Sequence, residues 1–226
     1  MNSSPRISIS KGLAIGYRNR KLFHADDILA LATAGESIDL AEGRHLLLAR
    51  NGRGKTTLLK TLAGLHPSLT GNVDVHGQIQ FVDEDLRFDD ELTAGQIFRA
   101  FFRGDQLKLA FVYTERLELT TNKPYRKLSK GNRQKVALIL AEASGADSEP
   151  RVMLLDEPFS GLDFTARNEI DAIWRENSKN VLRLICVHPD EPTLKATSAI
   201  LICDQKIEQI KAEGKLDWLA LRKNLN

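Results

Sequence analysis

Residues 46–62 read LLLARNGRGKTTLLKTL, and this stretch constrains the fold more than any other. Three leucines enter it, two glycines follow close together, and Leu58, Leu62 and Leu65 then recur at helical spacing. The pattern predicts a short buried strand, a tight loop and a helix that stops at His66-Pro67. Glycines let the chain curl so that successive N–H groups converge, and the helix adds the positive end of its dipole. Such a loop cradles phosphate oxygens. Arg50, Asn51, Gly52, Arg53 and Gly54 would form its wall, with Thr57 closing it on the helix side. Lys55 would reach the outer phosphates, and the Thr56 hydroxyl would ligate Mg²⁺. The usual pattern has glycine where Ala49 stands. A methyl group is tolerable at that strand exit provided φ stays negative.

A second constraint is VMLLDEP at 152–158. Four apolar residues run into two carboxylates, which puts Asp156 and Glu157 at the carboxyl edge of a buried strand. Doubly wound sheets bind their ligands at that edge. Asp156 is expected to hold Mg²⁺, and Glu157 to orient and polarise an attacking water.

The remaining chain supplies alternating elements. Strands are expected within 6–17, over Ser37–Leu40 with a turn at Glu42-Gly43, and within 71–85 with a turn at His76-Gly77. Leu92 to Lys127 reads as a helical insertion carrying Phe98, Phe101, Phe102 and Phe111, followed by a helix from Arg133 to Ala143. Val181–Val187 reads as a strand, Ala199–Cys203 with Lys206–Ile210 as a hairpin, and 215–224 as a short amphipathic helix. Continuously apolar strands alternating with helices imply a mostly parallel α/β sheet covered on both faces. The net charge of +2 argues against a nucleic-acid partner. Cys186 and Cys203 sit in apolar runs and read as buried thiols of a reducing compartment. No apolar stretch approaches the roughly 20 residues that span a bilayer, and the first twelve residues lack the apolar core of a signal peptide. A cytoplasmic chain is expected, with any membrane role exerted through a partner.

LSKGNRQKVALILAEA at 128–143 resembles the signature motif of ATP-binding cassette (ABC) ATPases, usually LSGGQ, and stands 27 residues before Asp156. Ser129 and Gly131 match it; Lys130 and Asn132 depart from its commonest form, in a manner similar to exporter-type cassettes. The resemblance covers nearly all of residues 1–226 and implies a single ABC-type P-loop NTPase domain. Its mostly parallel core would carry an antiparallel β subdomain and an inserted helical subdomain at about 90–145. It also assigns roles. SGLD at 160–163 resembles the D-loop, with Asp163 at its acidic position; His188 resembles the switch histidine that contacts the γ-phosphate; Tyr17 resembles the aromatic that stacks on adenine.

ATP and Mg²⁺ are the implied ligands. In the family one subunit's phosphate loop faces another's signature motif, so a chain with one copy of each is expected to pair with a second copy or a related subunit. A polytopic membrane permease would supply the transport pathway, with this chain peripheral on the inner face of the cell membrane. The alternative is a non-transport cassette such as an assembly ATPase.

The largest departure lies in QIQFVDEDLRFDDELTA at 78–94. The family places a magnesium-ligating glutamine at the end of this strand, and here Asp83 or Glu84 occupies the place, with Glu84 preferred. A carboxylate there would strengthen a Mg²⁺ site and make the protein more dependent on the metal. The surrounding acidic run reads either as a solvated loop or as a site for Mg²⁺ and a partner's basic segment.

Overall fold

The computed structural model describes residues 4–19, 27–145, 149–188 and 195–211. The expected helix at 215–224 lies outside these. The chain divides into two compact units. One takes the residues up to Phe81, Pro150–Asp156 and those from Val181 on; the other takes Val82–Glu149 and Glu157–Asn180.

The first unit carries two sheets. In the smaller, β1 (Arg6–Ile9) lies between β4 (Ile38–Leu40) and β6 (Val73–His76), antiparallel to both. Ile7 pairs across to Leu40 and Val75, and Ile7, Ile9, Ile38 and Leu40 are buried on the shared apolar face. Eight strands form the larger sheet, in the order β2 (Ala14–Asn19), β3 (Asp27–Ala34), β11 (Lys206–Lys211), β10 (Ser198–Cys203), β5 (Gly43–Ala49), β9 (Val181–Cys186), β8 (Arg151–Asp156) and β7 (Gln78–Val82). The run β10-β5-β9-β8 is parallel throughout. Every residue of β8 and β9 is buried, which is why Val152–Leu155 reads as a continuous apolar run and why β9 is apolar apart from the buried Arg183. Helix α1 (Lys55–Leu62) sets Leu58, Leu59 and Leu62 into the core formed with Leu47, Ala49, Leu154 and Leu184.

Two local expectations need correction. Helix α1 ends before Leu65: Gly64 takes φ +72°, and the Leu65 N–H turns back to the Lys60 carbonyl at 2.8 Å. A left-handed glycine closes the helix, and Leu65 is left exposed rather than on the apolar stripe. Strand β3 was not anticipated, because Ile28 and Leu29 are both exposed and no period-two pattern marks it.

The second unit is helical. Its members are α2 (Ala94–Phe101), α3 (Gly104–Arg116), a 3₁₀ turn at Tyr125–Lys127, α4 (Lys130–Ala143) and α5 (Phe164–Glu176). Thr93 and Gln96 form a reciprocal capping box that starts α2. The expected helical stretch breaks where Phe102 is extended and Gly104 takes φ +53°. Arg116 of α3 forks onto Glu169 (2.6 Å) and Glu176 (2.6 and 2.9 Å) of α5. Glu176 thereby holds the Arg116 pKa above its ordinary value, and its own carboxyl is held low by the same bond. The buried Lys135 ammonium donates to the Leu117 carbonyl at 2.7 Å and so closes the end of α3.

Candidate functional site

Three parallel strands of the first unit deliver the central residues. Strand β5 ends in Ala49, its neighbour β9 leads through Val187 to His188, and the next strand, β8, ends in Asp156. Leu47 pairs with Cys186 and Cys186 with Asp156, so the three carboxyl ends are level. Ala49 is fully buried and in extended backbone, so the residue that departs from the loop pattern sits where a methyl group is harmless.

The loop itself is built by its glycines. Gly52 has φ +75°, and Gly54 has φ +101° as the N-cap of α1. Both lie in the left-handed region that side chains resist. Lys55 is buried and curls back, donating to the Ala49 carbonyl at 3.3 Å and to Asn51 Oδ1 at 3.1 Å. Arg50, Asn51 and Arg53 line the exposed rim, and the first turn of α1 carries no acid. The electrostatics therefore favour an anion.

Thr56 follows Lys55 on α1, and its Oγ1 donates to Asp156 Oδ2 at 2.6 Å. This bond joins a loop residue to a strand end 100 positions away and brings two hard oxygen donors together. Thr57 is buried, and its hydroxyl shares a hydrogen bond of 3.1 Å with the Tyr17 hydroxyl. The Tyr17 ring is half exposed, tilted against His66 with centroids 5.2 Å apart. Tyr17, the loop from Ala49 to Thr57, Asp156 and His188 thus belong to one unit.

The other predicted residues belong to the second unit, where they have structural work as well. Glu157 follows Asp156 with φ +46°, a conformation that non-glycine residues adopt at a cost and that clusters at functional sites. Ser129 caps α4 by accepting from the Asn132 N–H at 3.2 Å, and Asp163 caps α5 by accepting from the Ala166 N–H at 2.8 Å. Gly131 lies against Gly161, where an added Cβ would stand 2.2 Å from the Gly161 oxygen.

Glu84 is held inside its own unit. Its Oε1 accepts from Lys130 Nζ at 2.8 Å and from Ser160 Oγ at 3.3 Å. The acidic run meets cations of the same chain elsewhere too, with Glu91 paired to Arg126 and Asp85 to Arg87. Among the described residues no group of three or more His, Cys, Asp or Glu gathers as a metal site. Lys130 and Ser160 were not singled out from sequence as partners of Glu84; the only signal was that Lys130 replaces a usual glycine.

Residues 35–160 match the family described as ABC transporter. The chain belongs to the ABC transporter family. It is 34% identical over 181 residues to the aliphatic sulfonates import ATP-binding protein SsuB 1 of Pseudomonas syringae pv. tomato, covering 76% of this chain and 65% of that one. It is 33% identical over 154 residues to the cytochrome c biogenesis ATP-binding export protein CcmA of Novosphingobium aromaticivorans, covering 66% and 72%. The first curated relatives are spanned over less than two thirds of their length, at 66%, 57% and 65%. Among solved structures, an ATP-binding subunit of an ABC transporter superposes with a TM-score of 0.71 at 19% identity, over 97% of this chain and 95% of that one. A bacterial Atm1-family ABC exporter with ATP bound gives 0.72 at 16% identity, over 93% and 39%. These structural likenesses establish the ABC ATPase fold. Among the described residues no helix is long and apolar enough to cross a membrane.

Proposed function

We propose that this chain binds ATP with Mg²⁺ and hydrolyses it to power transport through a separate polytopic membrane permease. The observation that carries the reading is the glycine-shaped loop with a buried Lys55, tied through Thr56 to the strand-end Asp156. Exchange of Ala49 and Asn51 for phosphate oxygens is a short move for Lys55, and it places a full positive charge on the outer phosphates. Backbone N–H groups around Gly52 and Gly54 take the inner ones. Thr56 and Asp156 are the residues that would hold Mg²⁺, and their hydroxyl and carboxylate oxygens suit that hard cation. Mg²⁺ would supply charge neutralisation between phosphates. Glu157 accepts a proton from the attacking water, and His188 donates to the γ-phosphate. Tyr17 offers its exposed ring to the adenine.

Ser129, Gly131 and Asp163 serve the nucleotide of a second copy or related subunit, the family's way of completing each site. The chain works at the cytoplasmic face of the membrane because the permease holds it there. Relatives named for import and for export both match, so the direction of transport belongs to the permease.

The test is Glu157→Gln in Mg-ATP. Removing the base should lower turnover about 100-fold or more while ATP still binds. The bound ATP should then hold two chains together, a dimer seen by light scattering and lost on Ser129→Arg. Undiminished hydrolysis by Glu157→Gln would show that another group activates the water.

A further inference from the structure

In the helical unit one carboxylate joins three segments. Glu84, just beyond β7, accepts from Lys130, the first residue of α4, and from Ser160, in the turn that follows Glu157. That turn is closed by the Ser160 N–H donating to the Glu157 carbonyl at 3.0 Å. Beside it, Gly131 and Gly161 bring the start of α4 and the turn into backbone contact, with no room for a side chain between them. Lys130 packs on the same spot: a Cβ on Gly161 would lie 3.2 Å from Lys130 Cγ. The turn is held on one side by Arg167, which donates to the Phe159 and Leu162 carbonyls at 3.2 and 3.1 Å. The Glu84 carboxylate ties it to the start of α4, with a charged donor from Lys130 and a hydroxyl from Ser160. Glu157 needs such support, since its φ of +46° persists only where surrounding structure imposes it.

We infer that Glu84 is a positioning residue, which clasps Lys130 to Ser160 and thereby fixes the turn that presents Glu157. The inference rests on the reading of Glu157 as the group that activates water. It gives two of the departures from the family pattern, Glu84 and Lys130, one shared purpose. It also differs from the metal role expected for Glu84 from sequence, and the two roles have different signatures.

The experiment compares Glu84→Ala, Glu84→Gln, Ser160→Ala and the double variant Glu84→Ala/Ser160→Ala in Mg-ATP hydrolysis. Glu84→Ala should lower kcat about fivefold to tenfold, with the KM for ATP and the Mg²⁺ midpoint within about twofold of the parent. Glu84→Gln should recover most of that loss, because its carbonyl oxygen still accepts from Lys130 and Ser160. The double variant should be no slower than Glu84→Ala alone, since both changes open the same link. Multiplied losses in the double variant, or a tenfold shift of the Mg²⁺ midpoint in either Glu84 variant, would overturn the inference.

A second readout needs no nucleotide. Hydrogen exchange at the Ser160 amide should rise about tenfold in Glu84→Ala. Unchanged exchange there overturns the clasp. If the parent protein hydrolyses no ATP, the ATPase reading fails by itself, and exchange alone decides the clasp.

Discussion

At Gly52 φ is +75° and an added Cβ would meet nothing within 4 Å; at Gly131 no left-handed φ is needed, yet an added Cβ would stand 2.2 Å from the Gly161 oxygen. The phosphate loop needs glycine for its backbone conformation, whereas the start of α4 needs it for space. The loop leaves Arg50, Asn51 and Arg53 exposed, while Gly54 lies against Ile15 and Leu31. The start of α4 is a packed joint whose neighbours are its own chain. One region keeps its polar groups at the surface, and the other is closed on itself by backbone packing.

Substitutions at the two glycines should therefore follow opposite orders. Gly131→Ala forces backbone apart from backbone and should cost about 3 kcal/mol of stability in urea denaturation, with Gly131→Asn worse still. Gly52→Ala should cost about 1 kcal/mol through the left-handed conformation alone, and Gly52→Asn less, because asparagine tolerates that region. If asparagine is the better substitute at both sites, or at neither, the distinction between conformation and space collapses.

A smaller effect probes the strand beneath the loop. His45 in β5 is buried, with Nε2 set against the Ala41 carbonyl at 2.8 Å and Nδ1 against Ser198 Oγ at 2.8 Å. A carbonyl can only accept, so the network assigns the proton to Nε2 and leaves Nδ1 to accept from Ser198. Burial pushes the imidazole pKa below its ordinary 6.5. The unfolded chain then binds this proton more readily than the folded one. The neutral-His45 contribution is fully present above about pH 6.5 and is lost as pH falls below it, levelling off beneath the depressed folded value. Stability from urea denaturation should be lower at pH 5 than at pH 7.5 by a component from this group, one that His45→Gln removes. A slope that survives in His45→Gln has its origin elsewhere.

How much of this was legible in the sequence follows the same division. The strand, glycine-rich turn and helix start were readable because what shapes them is local: glycine conformation and the start of α1 lie within a few residues of one another. Strand-end placement of Asp156 and His188 was readable because largely apolar runs, interrupted in β9 only by Arg183, mark buried parallel strands. The Thr56–Asp156 bond was implied only through the metal both were expected to share. Glu84 was read by its position after a strand, and its partners lie 46 and 76 residues away, where no pattern along the chain points to them. Helix α1 ends earlier than Pro67 implies because Gly64 takes a left-handed conformation that the leucine spacing does not mark. Strand β3 escaped because Ile28 and Leu29, on opposite faces, are both exposed, so burial left no alternation to read.

The central claim is that the first unit binds the nucleotide, while the signature residues of the second act on the nucleotide of another copy. Calorimetric titration of ATP in Mg²⁺, at protein concentrations low enough to keep the chain monomeric, tests it directly with Lys55→Ala and Ser129→Arg side by side. The account predicts that Lys55→Ala weakens ATP binding about 100-fold, in keeping with the loss of a buried charge-assisted contact, while Ser129→Arg stays within about twofold of the parent. Equal affinities for the parent and Lys55→Ala, or a larger loss in Ser129→Arg than in Lys55→Ala, would contradict it.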